Sequence, residues 1–368
     1  MKTIEKTFFA DTSKYPYEKL GDIEKLLFID IETTGFVANG SKLYLIGCAY
    51  HKDNSFHTIQ WFAEGSDEEE EILYAFTNFA ANYNVLIHYN GNHFDIPYLE
   101  AKLSMLDMDF DFRALKGIDI FRRLFPYKTF MKLENLKLKT IERFCGINRD
   151  DKYDGGELIS VYNEYLRLPQ QQLLEKLLTH NQEDLCGLVN IIPALAIPDM
   201  FNENIKVTKA SKAPCREFDG SVGSRLTMEF TLPSPLPSPL SYGFEDCYFT
   251  GEGQTGRISV SIREDELKLF YPNYKDYYFL PEEDEAIHKS LASFVDSAHR
   301  QTAKASNCYK KLKGVYLPQW EPLFTPIFRE NYRDRTMYFA LTDEIKKDSR
   351  CFTRYAAHLL QTMAHPIN

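Results

Sequence analysis

The stretch KLLFIDIETTG, Lys25–Gly35, is the part of the sequence that decides the fold class. Its first half is almost continuously apolar, which is typical of a strand buried on both faces. Asp30 and Glu32 lie two residues apart on this strand, so their side chains point to the same face. Two carboxylates on one face of an apolar strand are costly unless something offsets their repulsion and desolvation. A divalent cation would offset both.

The pattern outward from this strand predicts an α/β domain. Further apolar runs predict strands near Lys42–His51, Phe56–Phe62, Val85–Asn90 and Gly117–Phe121. Five successive acids, Asp67–Glu71, precede a predicted helix, and another helix is predicted near Ile96–Leu106. Helical patterns dominate from Leu133 to Ile192. A strand–helix–strand unit in this order indicates a mixed sheet flanked by helices.

Changes of composition divide the chain into four parts. Residues 1–24 are predicted to be an N-terminal lead-in, and residues 25–198 carry the α/β domain. Residues 199–224 are polar and small, which predicts a linker. Residues 225–368 are predicted to form an accessory α+β domain.

The accessory domain combines two kinds of pattern. Period-two runs at Leu226–Leu232 and Arg257–Arg263 predict antiparallel strands, and apolar stripes predict helices at 281–298 and 352–363. The run PSPLPSP, Pro233–Pro239, cannot be a helix or a central strand. We interpret it as a rigid connector, with a ligand for a proline-binding domain as the alternative.

Charge and cysteine content restrict the class of protein. The 368 residues carry a net charge of −10, all of it in the first 199, since 22 basic and 22 acidic residues balance from residue 200 onward. A uniformly basic polyanion binder is excluded, but an enzyme with local basic patches and bound metal is not. Seven scattered cysteines without a C-x-x-C pair do not resemble zinc ligands. With no signal peptide and no apolar run of bilayer length, we expect a cytoplasmic protein without a membrane partner.

Two further stretches supply acids at informative places. In HYNGNHFDIPYLEAKL, Asp95 begins a predicted helix, where capping alone would also explain an acid, and Phe94 precedes it. In HNQEDLCGLVNII, His180 and Asp184 are four residues apart and share one helix face. His180 could act on water, or it could simply lie at a helix surface.

Three motifs together resemble a known superfamily. FIDIETTG, YNGNHFDIPYL and HNQEDLCGL are similar to the three exonuclease motifs of the DEDD superfamily, whose fold is ribonuclease H-like. The second motif is especially similar to that of the proofreading domains of family B DNA polymerases. The segments between the motifs resemble ribonuclease H-like nucleases of the YprB type. The resemblance covers residues 24–197 and implies nothing about the rest.

The resemblance implies a role for each matching residue. Two divalent ions, Mg²⁺ or Mn²⁺, would be held by four carboxylates: Asp30, Glu32, Asp95 and Asp184. Hard oxygen ligands without cysteine suit these ions. Substrate contacts are expected from Thr33, Thr34, Asn90 and Phe94. His180 departs from the superfamily, because it has the spacing of the usual tyrosine; it would be a general base or would only orient water.

The function expected from these residues is that of a metal-dependent nuclease. The expected activity is a 3′→5′ exonuclease on single-stranded DNA or RNA, with a two-metal mechanism. The alternatives are an endonuclease on the same fold and a nucleic-acid binding module that has lost catalysis. In the accessory domain, the acid-free basic segment Arg300–Lys313 could guide nucleic acid, or it could be an ordinary loop.

Overall fold

The chain forms two compact units. The computed structural model describes residues 1–65, 67–148, 155–202, 204–216 and 222–364. The first unit comprises Met1–Met200 together with Ser234–Pro239. The second unit comprises Phe201–Pro233 and the chain from Leu240 onward.

A mixed sheet forms the centre of the first unit. Within the described residues it has six strands: β1 Lys2–Phe8, β2 Leu26–Thr33, β3 Leu43–Lys52, β4 Ser55–Phe62, β5 Val85–His88 and β6 Lys116–Asp119. Their order across the sheet is β1-β4-β3-β2-β5-β6. The pairs from β1 to β2 are antiparallel, whereas β5 pairs parallel to both β2 and β6.

Helices cover both faces of this sheet. They are α1 Glu69–Ala80, α2 Asp95–Met105, α3 Ile120–Leu124, α4 Leu138–Phe144, α5 Gly155–Arg167, α6 Gln171–Asn190 and α7 Ala196–Asn202. One apolar cluster joins β2 and β3 to α1 and α2, with Ile29, Phe76 and Leu99 fully buried. A second joins Tyr44 and Phe62 to α5 and α6. The predicted mixed α/β sheet flanked by helices is therefore confirmed.

No apolar run of bilayer length is expected from the sequence, but one helical stretch reaches that length in the structure. The helices from Gln171 to Asn202 follow one another closely and together are long and apolar enough to cross a bilayer by length and composition. Most of the apolar window is buried inside the unit, as expected for the core helix of a folded domain.

Two predicted segments of the first unit differ in the structure. The predicted lead-in contains β1, which pairs with β4 from Lys2–Phe62 to Phe8–Phe56. Its polar side chains face solvent on this edge strand, so its composition resembled that of a loop. The strand predicted at Gly117–Phe121 ends at Asp119, whose side chain accepts a hydrogen bond from the amide of Arg122 and begins α3.

The second unit is rich in sheet. Its strands are β7 Lys206–Arg216, β8 Val222–Thr231, β9 Leu240–Phe244, β10 Cys247–Glu252, β11 Thr255–Phe270, β12 Tyr277–Leu280, β13 Glu285–His288, β14 Gln301–Thr302, β15 Tyr309–Gln319, β16 Phe328–Arg329 and β17 Met337–Ala340. In the described residues, β12–β14 form a three-stranded sheet and the others an eight-stranded sheet. Two helices follow, α8 Asp343–Lys347 and α9 Ser349–Ala364.

The second unit confirms some predicted elements and contradicts others. The strands β8 and β11 and the helix α9 occupy the expected places. Residues 206–216, within the predicted linker, instead form β7 along β8. The helix predicted at 281–298 is wrong, because β13 pairs with β12 and only short 3₁₀ turns follow. Phe294, expected on the apolar stripe of that helix, is 90% exposed.

Most of the proline-rich run, Ser234–Pro239, belongs to the first unit and packs against the rest of it. Ser234 is fully buried, and its hydroxyl donates to Asp199 at 2.7 Å. Lys19 donates to the Ser234 hydroxyl at 2.8 Å and lies 3.1 Å from Asp199. Leu236 is also buried. The run is therefore anchored along the first unit by a charged network at one end and apolar burial further on.

Candidate metal centre

Three separate elements bring the predicted acids together. Asp30 and Glu32 lie near the end of β2, and Asp95 is the first residue of α2. Asp184 lies in the second turn from the end of α6. The charges of Asp184, Glu32 and Asp95 all act on the carboxyl group of Asp30, so the four acids form one cluster. The structure therefore places together the residues that three distant motifs supply.

Asp30 is at the centre of the cluster. Burial raises its pKa well above the ordinary value, and the charges of Asp184, Glu32 and Asp95 raise it further. A hydrogen bond from the side chain of Asn181 opposes this shift, with Nδ2 donating to Oδ2 of Asp30 at 2.8 Å. A bound cation would offset both the burial and the repulsion.

His180 lies directly against two of the acids. Its Nε2 is 3.4 Å from Oδ2 of Asp184 and 3.7 Å from Oε1 of Glu32. One ligand atom from each of the three residues falls within 4.8 Å of the others, which is a spacing suited to one metal ion. The i and i+4 positions on α6 place His180 and Asp184 on one face. His180 is only 8% exposed, so it is part of the site and does not lie at an open helix surface.

Asp95 enters the site from the start of α2. Burial raises its pKa to about 7, with a smaller contribution from Asp119. Hydrogen bonds from its own amide and from that of Ile31 act in the opposite direction. Asp95 is 7% exposed, so a helix-capping role at the surface does not describe it.

The donor set fits divalent cations. A carboxyl group whose pKa is raised by burial and by neighbouring carboxylates, as that of Asp30 is, gains most from a cation. Carboxylate oxygens from Glu32 and Asp184 suit Mg²⁺ and Mn²⁺. The imidazole of His180 adds a nitrogen donor that ions of the later transition series also accept. The donor set therefore suits divalent ions as a class and does not favour one of them.

The predicted substrate threonines stabilise the loop after β2. The hydroxyl of Thr33 donates to the carbonyl of Gly35 at 2.8 Å. The hydroxyl of Thr34 accepts from the amide of Lys42 at 2.8 Å, and the amide of Thr34 donates back to the Lys42 carbonyl. Both side chains hold the 33–42 loop closed, and a substrate contact from either remains a prediction.

Asn90 is held in a tight turn before Asp95. Its φ is 62°, in the left-handed region that Asn tolerates better than most residues. Its amide donates to Oδ1 of Asp119 at 3.0 Å, and the amide of Asn92 donates to Oδ2 at 3.3 Å. The sequence alone leaves two interpretations of Asp119, which ends a predicted strand: a supporting acid or a salt bridge to Arg122 or Arg123. In the structure it organises the turn that leads to Asp95.

Phe94 belongs to an aromatic group beside the acids. Its ring lies 6.0 Å from that of Phe36 and 5.5 Å from that of Tyr98, measured between centroids. Phe36 is 89% exposed. Phe36 is not among the site residues predicted from the sequence, although an apolar residue directly after the TTG turn is a signal that could have indicated it. An exposed ring at this position could stack on a base.

A buried ion pair fixes the loop that carries Phe36. Lys102, only 5% exposed, places Nζ 2.7 Å from Oε1 of Glu69 and donates to the carbonyl of Ser41 at 2.6 Å. The same Glu69 oxygen accepts from the amide of Leu43 at 2.7 Å. Tyr98 and Ser41 join their hydroxyls at 2.8 Å. Neither Lys102 nor Glu69 was selected from sequence, because both lie among ordinary helical charges.

Comparisons with known proteins identify the fold of the first unit. A family model described as the RNase_H superfamily matches residues 27–196. The uncharacterized protein YprB of Bacillus subtilis (strain 168) is 26% identical over 175 residues, covering 45% of this chain and 40% of that protein. These matches confirm the ribonuclease H-like domain of the YprB type that the motifs predicted. The shared region is less than half of either chain.

Several solved structures show a more distant likeness. The family B DNA polymerase of the archaeon Pyrobaculum calidifontis is 15% identical with a TM-score of 0.39, covering 48% of this chain and 25% of that one. The zinc-bound complex of E. coli exonuclease I with single-stranded DNA is 13% identical with a TM-score of 0.28, covering 56% and 54%. Likenesses this distant do not carry over an activity.

Proposed function

Since residues 27–196 form a ribonuclease H-like domain, we propose that the protein is a metal-dependent nuclease acting as a 3′→5′ exonuclease on single-stranded DNA or RNA. One observation carries the proposal. The acids of β2, α2 and α6 converge on Asp30, and His180 lies within 4 Å of two of them. A merely structural domain would gain nothing from placing four carboxylates together at a site where Glu32 and Asp95 are buried and Asp30 and Asp184 are partly buried.

Each residue of the cluster has a role in this proposal. Asp30, Glu32, Asp95 and Asp184 would hold two divalent ions. Such ions supply positive charge to the attacking and leaving oxygens of a phosphodiester and lower the pKa of bound water. His180 presents Nε2 beside Glu32 and Asp184, where it can orient the attacking water and accept its proton.

The aromatic group supports cleavage from an end. Phe94 lies next to Asp95, and the exposed Phe36 packs edge-on against it. Rings beside the acids can stack on the terminal base and align its phosphodiester with the cluster. An endonuclease would need a groove that accepts an uninterrupted strand, so rings that would block the strand beyond the acids favour an exonuclease.

Digestion of labelled nucleic acid tests the proposal. Linear single-stranded DNA and RNA, labelled at either end, and circular single strands are incubated with Mg²⁺, Mn²⁺ or chelator. We expect mononucleotides from the 3′ end, no cleavage in chelator and resistance of the circle. Cleavage of the circle at the linear rate would favour the endonuclease, and binding without cleavage in any metal would favour a binding module.

Matched variants assign the activity to the cluster. Asp30→Asn keeps the shape of the side chain and should reduce the rate to the level measured in chelator. It should also raise the metal-free melting temperature, because the buried carboxyl of Asp30 is repelled by its neighbours. Glu100→Gln removes an exposed acid from α2 and should change neither quantity. Equal rates in Asp30→Asn and the wild type would exclude the cluster as the active site.

A further inference from the structure

Three residues form a row across the sheet beneath α6. Asp30 of β2 pairs with Gly47 of β3, and Gly47 pairs with Gln60 of β4. Asn181 of α6 lies directly over the central residue of this row. A Cβ atom added at Gly47 would stand 2.0 Å from Oδ1 of Asn181. Only glycine therefore leaves room for Asn181 between the two outer residues.

Hydrogen bonds connect the outer residues through Asn181. Nε2 of Gln60 donates to Oδ1 of Asn181 at 2.8 Å, and Nδ2 of Asn181 donates to Oδ2 of Asp30 at 2.8 Å. Nδ2 is also 3.3 Å from the carbonyl oxygen of Asp30. Gln60 and Asn181 are both fully buried, so water does not compete for these groups.

The orientation of both amides follows from one backbone group. Nε2 of Gln60 also donates to the carbonyl of Leu178 at 2.9 Å, and a carbonyl can only accept. The amide of Gln60 must therefore present its NH₂ group to α6. Oδ1 of Asn181 then accepts from that group, and its own NH₂ group must face Asp30. The Leu178 carbonyl thus determines which end of Asn181 reaches the acid.

We propose that Asn181 and Gln60 are positioning residues that set the carboxylate of Asp30 for cation binding, with Gly47 as the required gap. The inference rests on the proposed metal-dependent function. A donor fixed on Oδ2 restrains rotation of the Asp30 carboxylate, which leaves Oδ1 for a cation. Partners that orient metal ligands commonly change metal affinity about 10–100-fold when removed.

Mn²⁺ titration of the full chain tests this role. Asn181→Leu removes the donor, and Gln60→Met keeps the size of the side chain but removes the group that orients Asn181. We expect Mn²⁺ affinity to fall about 10–100-fold in the first variant and by a smaller factor in the second. Single-turnover cleavage should recover in both at saturating Mn²⁺. Asp30→Asn should not recover.

The variant Gln60→Glu distinguishes positioning of Asp30 from a simple effect of charge. It adds a potential negative charge near the acids, which by Coulomb attraction alone would strengthen cation binding. Positioning predicts weaker cation binding, because a carboxylate at residue 60 cannot donate to Oδ1 of Asn181. The side-chain amide of Asn181 would then rotate, and its oxygen would face Asp30. Asn190→Leu is the matched control on α6, since Asn190 donates to the carbonyl of Cys186 away from the acids. It should change Mn²⁺ affinity by less than about two-fold.

The outcomes separate this inference from the function itself. Lower melting temperatures with Mn²⁺ affinity within about two-fold of wild type would overturn positioning and leave a packing role. Should Asn181→Leu fail to fold, Gln60→Met and Gln60→Glu decide by the same criterion. If the wild-type chain binds no Mn²⁺, both proposals fail. If the wild-type chain binds Mn²⁺ and Asp30→Asn does not, the metal site stands. The Asn181 and Gln60 variants then decide the positioning role alone.

Discussion

His180 is the residue whose role the structure narrows most. Its spacing from Asp184 is that of the tyrosine in related motifs, and Nε2 lies within 4 Å of two carboxylates. That position suits a base that takes a proton from water, and it also suits a third metal ligand. The two roles differ in what they change, since a base acts on the rate of cleavage and a ligand on the affinity for metal.

We expect His180→Ala to act on the rate. Loss of a positioned base should lower the single-turnover rate about 10²–10⁴-fold. Mn²⁺ affinity, measured by calorimetry, should change much less than in Asp184→Ala. Equal losses of Mn²⁺ affinity in the two variants would show that His180 is a ligand. The exposed His93 gives a control, because His93→Ala should change neither quantity.

At the scale of elements, the loop between β2 and β3 depends on a buried charge. Lys102 of α2 pairs with Glu69 of α1 and donates to the carbonyl of Ser41 in the loop. Both helices therefore fix the position of the loop. Removing one partner of a buried pair leaves the other charge uncompensated, which typically costs about 3–5 kcal/mol. Glu69 keeps the amide of Leu43 as a donor and lies 3.9 Å from Nζ of Lys42, which places the expected cost at the lower end of that range.

Lys102→Met should therefore destabilise the protein by about 3 kcal/mol. The free energy of unfolding from urea titration measures this cost. Lys52→Met, at an exposed position at the end of β3, should change it by less than about 0.5 kcal/mol. A loss below about 1 kcal/mol in Lys102→Met would mean that Glu69 is already satisfied without the lysine.

In the second unit, α9 carries a histidine that makes stability depend on pH. Nε2 of His358 accepts from the amide of Trp320 at 3.1 Å, and burial lowers its pKa while Glu321 acts weakly in the opposite direction. A lowered folded-state pKa contributes stability that is present above the unfolded value of about 6.5 and is lost as the pH falls below it.

His358→Gln should flatten this dependence, because an amide oxygen can accept from Trp320 without titrating. Unfolding free energy measured between about pH 5 and pH 8 should fall on the acidic side in the wild type and fall less in the variant. His299→Gln, at an exposed histidine, is the comparison and should follow the wild-type curve. Parallel curves for wild type and His358→Gln would exclude His358 as the titrating group.

At the scale of the whole molecule, the features predicted correctly from the sequence are those that depend only on short stretches of the chain. The apolar run of β2, the acids at its end and the helical spacing of His180 and Asp184 are contained in short windows, and the structure has them as expected. The bridge from Gln60 through Asn181 could not be predicted, because it joins residues 121 positions apart whose proximity depends on strand order. The helix predicted at 281–298 failed because apolar spacing alone cannot show that β12 offers a pairing edge.

The basic segment Arg300–Lys313 shows the same dependence on pairing. It contains no acid in sequence, yet Nζ of Lys311 lies 2.6 Å from Asp284. On the neighbouring strand β11, Glu266 stands opposite Lys313. Acids therefore lie beside two of the five cations of this segment, which weakens the hypothesis that it guides nucleic acid. A second basic region lies in the first unit, where Arg122 and Arg123 are exposed on α3. Asp119 caps the first turn of α3 and also accepts from the amide of Asn90 in the turn before Asp95.

The salt dependence of nucleic-acid binding distinguishes the region of Arg122 and Arg123 from the segment Arg300–Lys313. Each lost phosphate contact lowers the slope of log affinity against log salt by about 0.7 for a single strand. Replacing Arg122 and Arg123 by Ala should therefore reduce the slope by about 1.4, whereas replacing Lys310, Lys311 and Lys313 should change it by less than about 0.7. Binding is measured with a catalytically inactive Asp30→Asn chain, so that substrate is not consumed. A large loss of slope in the lysine variant, with none in the arginine variant, would assign the nucleic-acid surface to the second unit, because only cations that contact phosphates release counterions on binding.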